Sequence, residues 1–288
     1  MSVSSEARTL HVDTGQEMRG GQWQVLRLLE QLRNATLLAP SGSALFHEAS
    51  KRGIDVGPLS YWKLRTMVRT CELVHAHDAN AHMMAAVTGM KPLVVSRRVA
   101  FPVKRGFLSR WKYARADLYL AVSRFVAARL MDAGIREERI RFVPDGVPVP
   151  AEPARPVEGR VVALAAKPVK IPGVPVHLTT NLWEDLATAS VFVYKSDLEG
   201  LGSAALAAMA MGVPVVASAA GGLPEAVEHE RTGLLVRDED FSDPVARLLK
   251  EPAWAAELGR AGRERVKKEF SVEKMVQKTL SAYREVLG

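Results

Sequence analysis

The chain has 288 residues, 48% of them hydrophobic, with one cysteine and a formal net charge of +7, which leaves room for one large or two modest cores and excludes an intrachain disulfide framework. The segment from Met1 to Glu6 is polar, and no apolar run approaches the ~20 residues that a membrane span needs. We therefore expect a soluble protein of a reducing, cytoplasmic compartment.

A glycine-containing loop follows the first predicted strand, which runs from Thr9 to Val12. Hydrophobic residues recur at helical spacing from Val25 onward, so Gly20 and Gly21 lie at the N-terminus of a helix. Free backbone N–H groups at such a terminus attract anions. A tight turn without any ligand explains the same glycines, and both interpretations stay open at this point.

A histidine-rich sequence ends the predicted strand from Glu72 to Ala76. His75, His77 and Asp78 follow one another closely, and His82 lies on the next helix. Alternate residues of a strand share a face, so His75 and His77 point the same way. Some metal-dependent hydrolases hold zinc with such a set, whereas packing of a histidine in the core is the simpler explanation.

A basic segment stands out between Arg97 and Arg115. It contains no acidic residue, and its cations are Arg97, Arg98, Lys104, Arg105, Arg110, Lys112 and Arg115. Aromatic residues are interleaved, namely Phe101, Phe107, Trp111 and Tyr113. This composition favours an anionic partner, whether lipid headgroups, a phosphorylated acceptor or nucleic acid, and a solvated basic face explains it equally well.

Alternating strands and helices continue to a hinge-like sequence. Strands are predicted at Leu93–Ser96, Asp117–Val122 and Ile140–Val143, and Ser123 should cap the helix that ends at Gly134. The sequence Pro144-Asp145-Gly146-Val147 follows, and then four prolines between positions 148 and 156 make a stiff linker. We place a domain boundary here.

The most informative stretch of the second half runs from Ser196 to Val227. Glu199 lies in a loop, Gly200 and Gly202 enter an alanine-rich helix near Ser203, and a buried strand from Val213 to Ala217 follows. Ligands of parallel α/β sheets bind outside the carboxyl ends of the strands, where a helix N-terminus favours anions. The loop therefore suits a phosphate, with Glu199 beside it as an acceptor for hydroxyl groups.

This stretch resembles the donor-site signature of the retaining nucleotide-sugar glycosyltransferases of family four. The family pattern has a Glu, a glycine-rich turn, a second Glu eight positions after the first, the run Ala-Met-Ala-x-Gly-x-Pro-Val-Val-Ala and then Gly-Gly-x-Pro-Glu. Only the second Glu is not matched, because position 207 is Ala.

The resemblance implies an α/β fold of the GT-B type, in which two Rossmann-like parallel-sheet domains face a cleft. Residues 1–146 would form the acceptor-side domain, residues 147–270 the donor-binding domain, and residues 271–288 a helix that packs back on the first domain. Ile171–Pro175 runs directly into the next strand, so the second domain should lack about one crossover unit. A bare edge or face near Val161–Ala165 would follow, and self-association would cover it.

The resemblance also implies the site residues. Glu199 would hold the hydroxyl groups of the donor sugar, and the loop of Gly200, Leu201, Gly202 and Ser203 would bind the diphosphate. Lys167 and Lys170 lie where relatives carry cations on the diphosphate. Gly21 comes from the first glycine loop, and Arg97 stands near the place of a family histidine, where it would hold a phosphate. Neither a metal nor a cofactor is implied beyond the nucleotide-sugar substrate.

The implied function is transfer of a sugar, with retention of configuration, from a nucleotide-diphosphate sugar to a hydroxyl acceptor on a glycan or lipid. A first alternative is a shortened member kept as a binding or partner subunit, which Ala207 favours. A second alternative is an epimerase or phosphorylase with the same two-domain architecture. A third is a metal hydrolase whose site is formed by His75, His77, Asp78 and His82. Nucleic acid is not an expected partner, while a homo-oligomer and a peripheral contact with the inner face of an anionic membrane stay open.

Overall fold

The computed structural model describes residues 7–90, 92–103, 106–237 and 240–288. It divides into two compact units, one made of the residues up to Pro144 together with Met275–Gly288, and the other of Asp145–Lys274. Each unit is built on one parallel sheet. Among the described residues, no helix is both long and apolar enough to cross a membrane.

The first unit contains seven strands in the order β3-β2-β1-β4-β5-β6-β7. The strands are β1 (Thr9–Val12), β2 (Ala35–Ala39), β3 (Val56–Pro58), β4 (Leu73–Ala76), β5 (Leu93–Arg97), β6 (Leu118–Ala121) and β7 (Ile140–Phe142). The helices are α1 (Gly20–Leu29), α2 (Ala44–Lys51), α3 (Tyr61–Met67), α4 (Ala79–Thr88), α5 (Phe107–Arg115) and α6 (Arg124–Met131). The strand order reverses between β1 and β4, and such a switch point is where doubly wound sheets bind ligands.

Short polar side chains begin several of these helices. Ser43, Ser60 and Ser123 accept hydrogen bonds from backbone N–H groups three residues later, and Asp78 accepts from Asn80 and Ala81. Each such cap satisfies N–H groups that have no partner within the helix. The predicted cap at Ser123 is therefore confirmed.

The second unit contains five strands in the order β12-β11-β10-β8-β9. The strands are β8 (Val161–Leu164), β9 (Val176–Thr179), β10 (Val191–Tyr194), β11 (Val215–Ser218) and β12 (Leu234–Val236). The helices are α7 (Leu182–Leu186), α8 (Ser203–Ala210), α9 (Leu223–Ala226), α10 (Ser242–Lys250) and α11 (Pro252–Arg265). A π-helical turn, Val266–Phe270, leads from α11 to the last helix of the chain, α12 (Val272–Leu287). Counted along the chain, this sheet has the 2-1-3-4-5 order, whose switch point lies between β8 and β10.

The predicted bare edge at Val161–Ala165 is wrong. Strand β8 pairs with β10 on one side and β9 on the other, and Val161, Val162 and Ala163 are fully buried. The edge strand on this side of the sheet is β9, which exposes 44% of Leu178. The first strand of a 2-1-3-4-5 sheet is internal, so an edge cannot form there.

No helix connects β8 to β9, and the connecting segment itself covers the sheet. Val169 and Ile171 are buried in the same core cluster as Val161, Val193 and Val216. Gly173, at φ +72°, allows the turn that brings Val174 back to Ile171. These apolar residues bury a face that a crossover helix normally covers. The loss of a crossover unit relative to longer relatives stays a prediction.

Helix α12 belongs to the first unit from Met275 onward. The Tyr283 hydroxyl lies 2.5 Å from Nδ1 of His75, and Arg141 forms an ion pair with Glu285. His75 faces His11 on the neighbouring strand, because the register of β1 and β4 pairs these two residues. His11 Nδ1 lies 2.9 Å from His77 Nε2, so the three rings form one buried cluster.

Burial keeps this cluster uncharged. Desolvation lowers the pKa of His11 to about 3 and holds the pKa values of His75 and His77 well below the ordinary value of 6.5. Proximity to the other rings of the cluster and the charge of Arg98 add to the effect for His75 and His77. His82 is also buried, and its pKa is lowered to about 3, first by desolvation and then by Lys112.

We predict that acid destabilises the fold through these histidines. Their folded-state pKa values lie below 6.5, so below pH 6.5 the unfolded chain takes up protons that the folded chain refuses. The free energy of unfolding should fall by up to about 1.4 kcal/mol per pH unit for each histidine, between pH ~6 and ~4. Denaturant titrations of the wild type and of His82→Gln measure this slope. The slope for the variant should be smaller by the contribution of one histidine, and equal slopes for the two proteins would contradict the prediction.

We also predict that Ile171 contributes strongly to stability. Ile171→Ala removes buried methyl groups from a core that the connecting segment completes, and should cost about 2–4 kcal/mol of unfolding free energy. Val157→Ala is the matched control because 55% of Val157 is exposed, and it should cost less than about 0.5 kcal/mol. Urea unfolding measures both, and a loss at Ile171 no larger than at Val157 would show that the segment does not complete the core.

Candidate functional site

The site of the second unit lies where β8 and β10 end. Lys167 follows β8, whereas Tyr194 is the last residue of β10, and Ser196 and Glu199 come after it. Strands β8 and β10 are parallel neighbours, so their carboxyl ends meet at the same edge. This edge is the topological switch point of the sheet.

Glu199 is held by a compact hydrogen-bond network. Its Oε2 atom lies 2.7 Å from Lys167 Nζ and accepts a hydrogen bond from the Tyr194 hydroxyl at 2.6 Å. Its Oε1 atom accepts from the backbone N–H of Gly200 at 3.1 Å. Both carboxylate oxygens are thus engaged, while the side chain keeps 22% exposure.

The backbone around Glu199 is equally constrained. The N–H of Gly222 donates to the carbonyl of Glu199 at 2.9 Å, and a Cβ on Gly221 would lie 2.2 Å from that carbonyl oxygen. Only glycine permits this approach, and Gly221 also has φ +57°. The Gly-Gly pair of the motif therefore fixes the loop that carries Glu199.

Helix α8 begins beside Glu199 without a side-chain cap. Gly202 precedes the helix at φ +99°, in the left-handed region that favours glycine. The N-terminus of an uncapped helix has free N–H groups and a partial positive charge. The Ser203 hydroxyl donates to Asp145 at 2.9 Å, and the Leu201 side chain is buried, so Leu201 can offer a ligand only its backbone.

The two lysines of the predicted diphosphate site differ in their surroundings. Lys167 is engaged with Glu199, whereas Lys170 is exposed and has no hydrogen-bond or ion-pair partner among the residues that the structure describes. Ala207 lies within α8 and is 2% exposed, so its methyl group is packed.

The carboxyl ends of β1 and β4 form a second polar cluster, in the first unit. Asp13 is buried and accepts hydrogen bonds from Gly15 N–H at 2.8 Å and from the Gln22 amide at 3.1 Å. Asp78 accepts from the backbone and the hydroxyl of Thr14. Desolvation first, and the charge of Asp78 second, raise the pKa of Asp13. Gly21 lies at the start of α1 with open space around its Cα.

Arg97 and Arg98 diverge at the end of β5. The Arg97 guanidinium donates to the carbonyl of Phe101 at 2.6 Å. Desolvation is the main cause of the lowered pKa values of His82 and Lys112, and the charge of Arg97 adds to it. The Arg98 guanidinium instead lies 3.5 Å from Nδ1 of His77. Arg98, which the sequence did not single out, is therefore the arginine beside the histidine cluster.

The four residues of the metal-hydrolase alternative are not brought together. Asp78 caps α4, and His82 Nε2 lies 3.1 Å from the carbonyl of Lys112 with its ring against Tyr113 and Tyr119. His75 and His77 join His11 instead, with ligand-type atoms within 4.8 Å of one another. His75 and His11 also bond Ser96, Tyr283 and Thr9, which is the pattern of a hydrogen-bonded core cluster.

A cavity of about 660 Å³ in the second unit lies away from these residues. Pro153, Gly159, Ser190 and Pro214 line it, and the last three lie just before the amino ends of β8, β10 and β11. The polar network around Glu199 lies at the opposite ends of the strands. The network is the better candidate site, because it and not the cavity joins a carboxylate, a cation and a helix N-terminus.

Sequence reasoning missed Tyr194 and Ser196 in the second unit, and Asp13, Gln22 and Arg98 in the first. Tyr194 ends a strand whose other residues are buried, so no local feature of the sequence distinguishes it from a core residue. The one available signal was position, because polar residues directly after parallel strands face the ligand edge of a sheet.

Two family models match the chain. The model of glycosyl transferases group 1 matches residues 173–265, and the model of glycosyltransferase family 4 matches residues 18–149. Among characterised relatives, the alpha-maltose-1-phosphate synthase of Mycolicibacterium smegmatis is 38% identical over 163 residues, which cover 51% of this chain and 42% of that protein. The D-inositol 3-phosphate glycosyltransferase of Saccharomonospora viridis is 41% identical over 103 residues, 35% of this chain and 24% of that protein. The matched regions thus span less than half of these relatives.

Solved structures of similar chain length share the fold. Anabaena Alr3699/HepE, crystallised with UDP and glucose, superposes with a TM-score of 0.85 at 15% identity, covering 97% of this chain and 100% of that one. A glycosyltransferase from Rickettsia africae gives a TM-score of 0.80 at 15% identity, covering 97% of this chain and 98% of that one. Each unit has a parallel α/β sheet, both family models are models of glycosyltransferases, and these neighbours share the fold. The chain therefore belongs to the family-four glycosyltransferases with the GT-B fold.

Proposed function

We propose that the protein transfers a sugar from a nucleotide-diphosphate sugar to a hydroxyl acceptor with retention of configuration. The observation that carries the proposal is the fixed carboxylate of Glu199 beside the uncapped N-terminus of α8, at the switch point of the second sheet. A carboxylate accepts hydrogen bonds from sugar hydroxyls, and a helix N-terminus binds phosphate. The named relatives, which are glycosyltransferases and a synthase of a sugar phosphate, support the same class of reaction.

In this proposal the bond between the anomeric carbon and the diphosphate breaks, a bond to the acceptor oxygen forms on the same face of the sugar, and the proton of the acceptor hydroxyl passes to the departing diphosphate. The departing diphosphate gains negative charge, which the first turn of α8 and a lysine after β8 would stabilise. Glu199 would orient the sugar through its hydroxyl groups. Because the helix end and the ammonium groups supply positive charge, we propose that no metal is required.

Two further assignments are part of the proposal. Gly21 and the adjoining N-terminus of α1 would contact a phosphate of the acceptor or donor, since the space at Gly21 is open. Arg97 was expected to hold a phosphate, and its bond to the Phe101 carbonyl leaves that role to its remaining N–H groups.

The acceptor would be presented at an anionic membrane surface. Phe101, Phe107 and Leu108 are 65%, 85% and 62% exposed on the first unit, next to the exposed Arg110. Apolar side chains beside several cations bind acidic lipid surfaces through burial and charge together. Two cations of the same basic segment, Lys104 and Arg105, lie outside the described residues. A third, Lys112, is half-buried, and its ammonium lies 5.1 Å from the centre of the Tyr113 ring.

We predict that Glu199→Gln lowers turnover far more than nucleotide binding. Loss of a charged acceptor for sugar hydroxyls should reduce turnover by roughly ten- to a hundredfold, corresponding to about 1.5–3 kcal/mol. The assay measures nucleoside diphosphate released from a panel of nucleotide sugars, with calorimetry of nucleoside diphosphate binding alongside. Asp197→Asn, an exposed acid two residues away, is the control and should keep activity.

Full activity in Glu199→Gln would remove the basis of the proposed site. Binding without turnover in the wild type, across the whole panel, would instead support the alternative of a binding subunit, which the missing carboxylate at Ala207 favours.

We predict salt-sensitive binding to vesicles that contain acidic lipids. Replacing Phe107 and Leu108 with Ser, or Arg110 with Glu, should weaken vesicle binding about threefold or more, because each removes apolar burial or about 1 kcal/mol of attraction. Arg155→Glu makes the same charge change on an exposed arginine of the second unit and should bind like the wild type. Co-sedimentation at low and high salt reads the effect, and equal binding to neutral vesicles, or none to either kind, would refute a charged membrane surface.

A further inference from the structure

The ammonium group of Lys167 has a complete set of partners. Three oxygens surround Nζ, namely Glu199 Oε2 at 2.7 Å, Ser196 Oγ at 2.9 Å and Tyr194 Oη at 3.0 Å. An ammonium carries three N–H groups, so each oxygen can take one. A diphosphate could reach this nitrogen only by displacing one of them.

Tyr194 links the lysine to the carboxylate. Its hydroxyl accepts from Lys167 and donates to Glu199 at 2.6 Å, and Lys167 Nζ also lies 4.5 Å from the centre of its ring. The ring is 5% exposed and stacks on Phe192. Burial first, and the charge of Glu199 second, raise the pKa of Tyr194, so its hydroxyl keeps the proton that it donates.

Lys170 contrasts with Lys167. The neighbouring side chains of Val169 and Ile171 are buried, whereas Lys170 is exposed. Within the described part of the chain it has no partner that an incoming anion would have to displace. The two lysines, three positions apart, are thus suited to different tasks.

We propose that Lys167, Tyr194 and Ser196 are positioning residues that hold the Glu199 carboxylate, and that Lys167 does not bind the diphosphate. The inference rests on the proposed function of Glu199 and deepens it. The Lys167 ammonium, after β8, and the hydroxyl groups of Tyr194 and Ser196, at the end of β10, fix a single orientation of the carboxylate before substrate arrives. Preorganisation of this kind acts on turnover, because the carboxylate need not be reoriented in the transition state.

Three substitutions separate positioning from phosphate binding. Tyr194→Phe keeps the ring and removes the hydroxyl, Lys167→Met keeps most of the side-chain volume and removes the charge, and Lys170→Met does the same at the exposed lysine. We expect Tyr194→Phe and Lys167→Met to lower kcat about tenfold or more, with the Kd for nucleoside diphosphate within about twofold of the wild type. Lys170→Met should instead weaken that Kd about fivefold or more.

The readouts are calorimetric titration with UDP, GDP and ADP and steady-state kinetics with the matching nucleotide sugars. A Kd weakened about tenfold by Lys167→Met would overturn the inference, because Lys167 would then contact the diphosphate. Unchanged kcat in Tyr194→Phe would overturn it as well, because the hydroxyl would then have no positioning role.

A separate measurement covers the case in which the wild type binds no nucleoside diphosphate, which would refute the proposed function alone. Unfolding titrations of Lys167→Met, Glu199→Gln and the double variant form a double-mutant cycle. If Lys167 holds Glu199, the effects are non-additive, and the unfolding constant of the double variant differs at least about fivefold from the additive value. Additive effects would refute the positioning role of Lys167 whatever the fate of the proposed function.

Discussion

The ion pair of Lys167 and Glu199 depends on the order of the strands in the second sheet. Lys167 follows β8 and Glu199 follows β10, and these strands are neighbours although β9 lies between them in the chain. A parallel sheet brings the carboxyl ends of neighbours to one edge, and a reversal of strand order leaves a crevice there. The Gly221-Gly222 turn then fixes the backbone of Glu199.

The sheet of the first unit also has a switch point, between β1 and β4, but the side chains there carry a different balance of charge. At its switch point the buried groups are histidines kept neutral by desolvation, with Asp13 and Asp78 engaged by backbone and side-chain donors. Neutral rings can lie in contact without repulsion, and so His75 can tie helix α12 to the sheet through Tyr283. The free energy of unfolding near neutral pH therefore depends on these buried histidine rings staying neutral.

Much of this fold could be predicted from the sequence, because it depends on local patterns. The apolar runs predicted strands β1, β4, β5, β6 and β7 within about two residues, and Ser123 predicted the start of α6. Strand β11 begins at Val215 instead of the predicted Val213, since Pro214 has no N–H to pair. What the sequence could not show depends on neighbours: Tyr194 bonds Lys167 only because β8 and β10 pair, and His11 meets His75 only through their register. Arg97 and Arg98 differ by one position on a strand end, and that decides which of them reaches the histidines.

The central claim is that Glu199 is held in advance at a site that receives a nucleotide-diphosphate sugar. A crystal structure of the full chain with a bound nucleoside diphosphate tests it most directly. We predict a diphosphate at the first turn of α8, with the contacts of Glu199 to Lys167 and Tyr194 unchanged. A diphosphate bound elsewhere, or one that takes Lys167 away from Glu199, would contradict the claim.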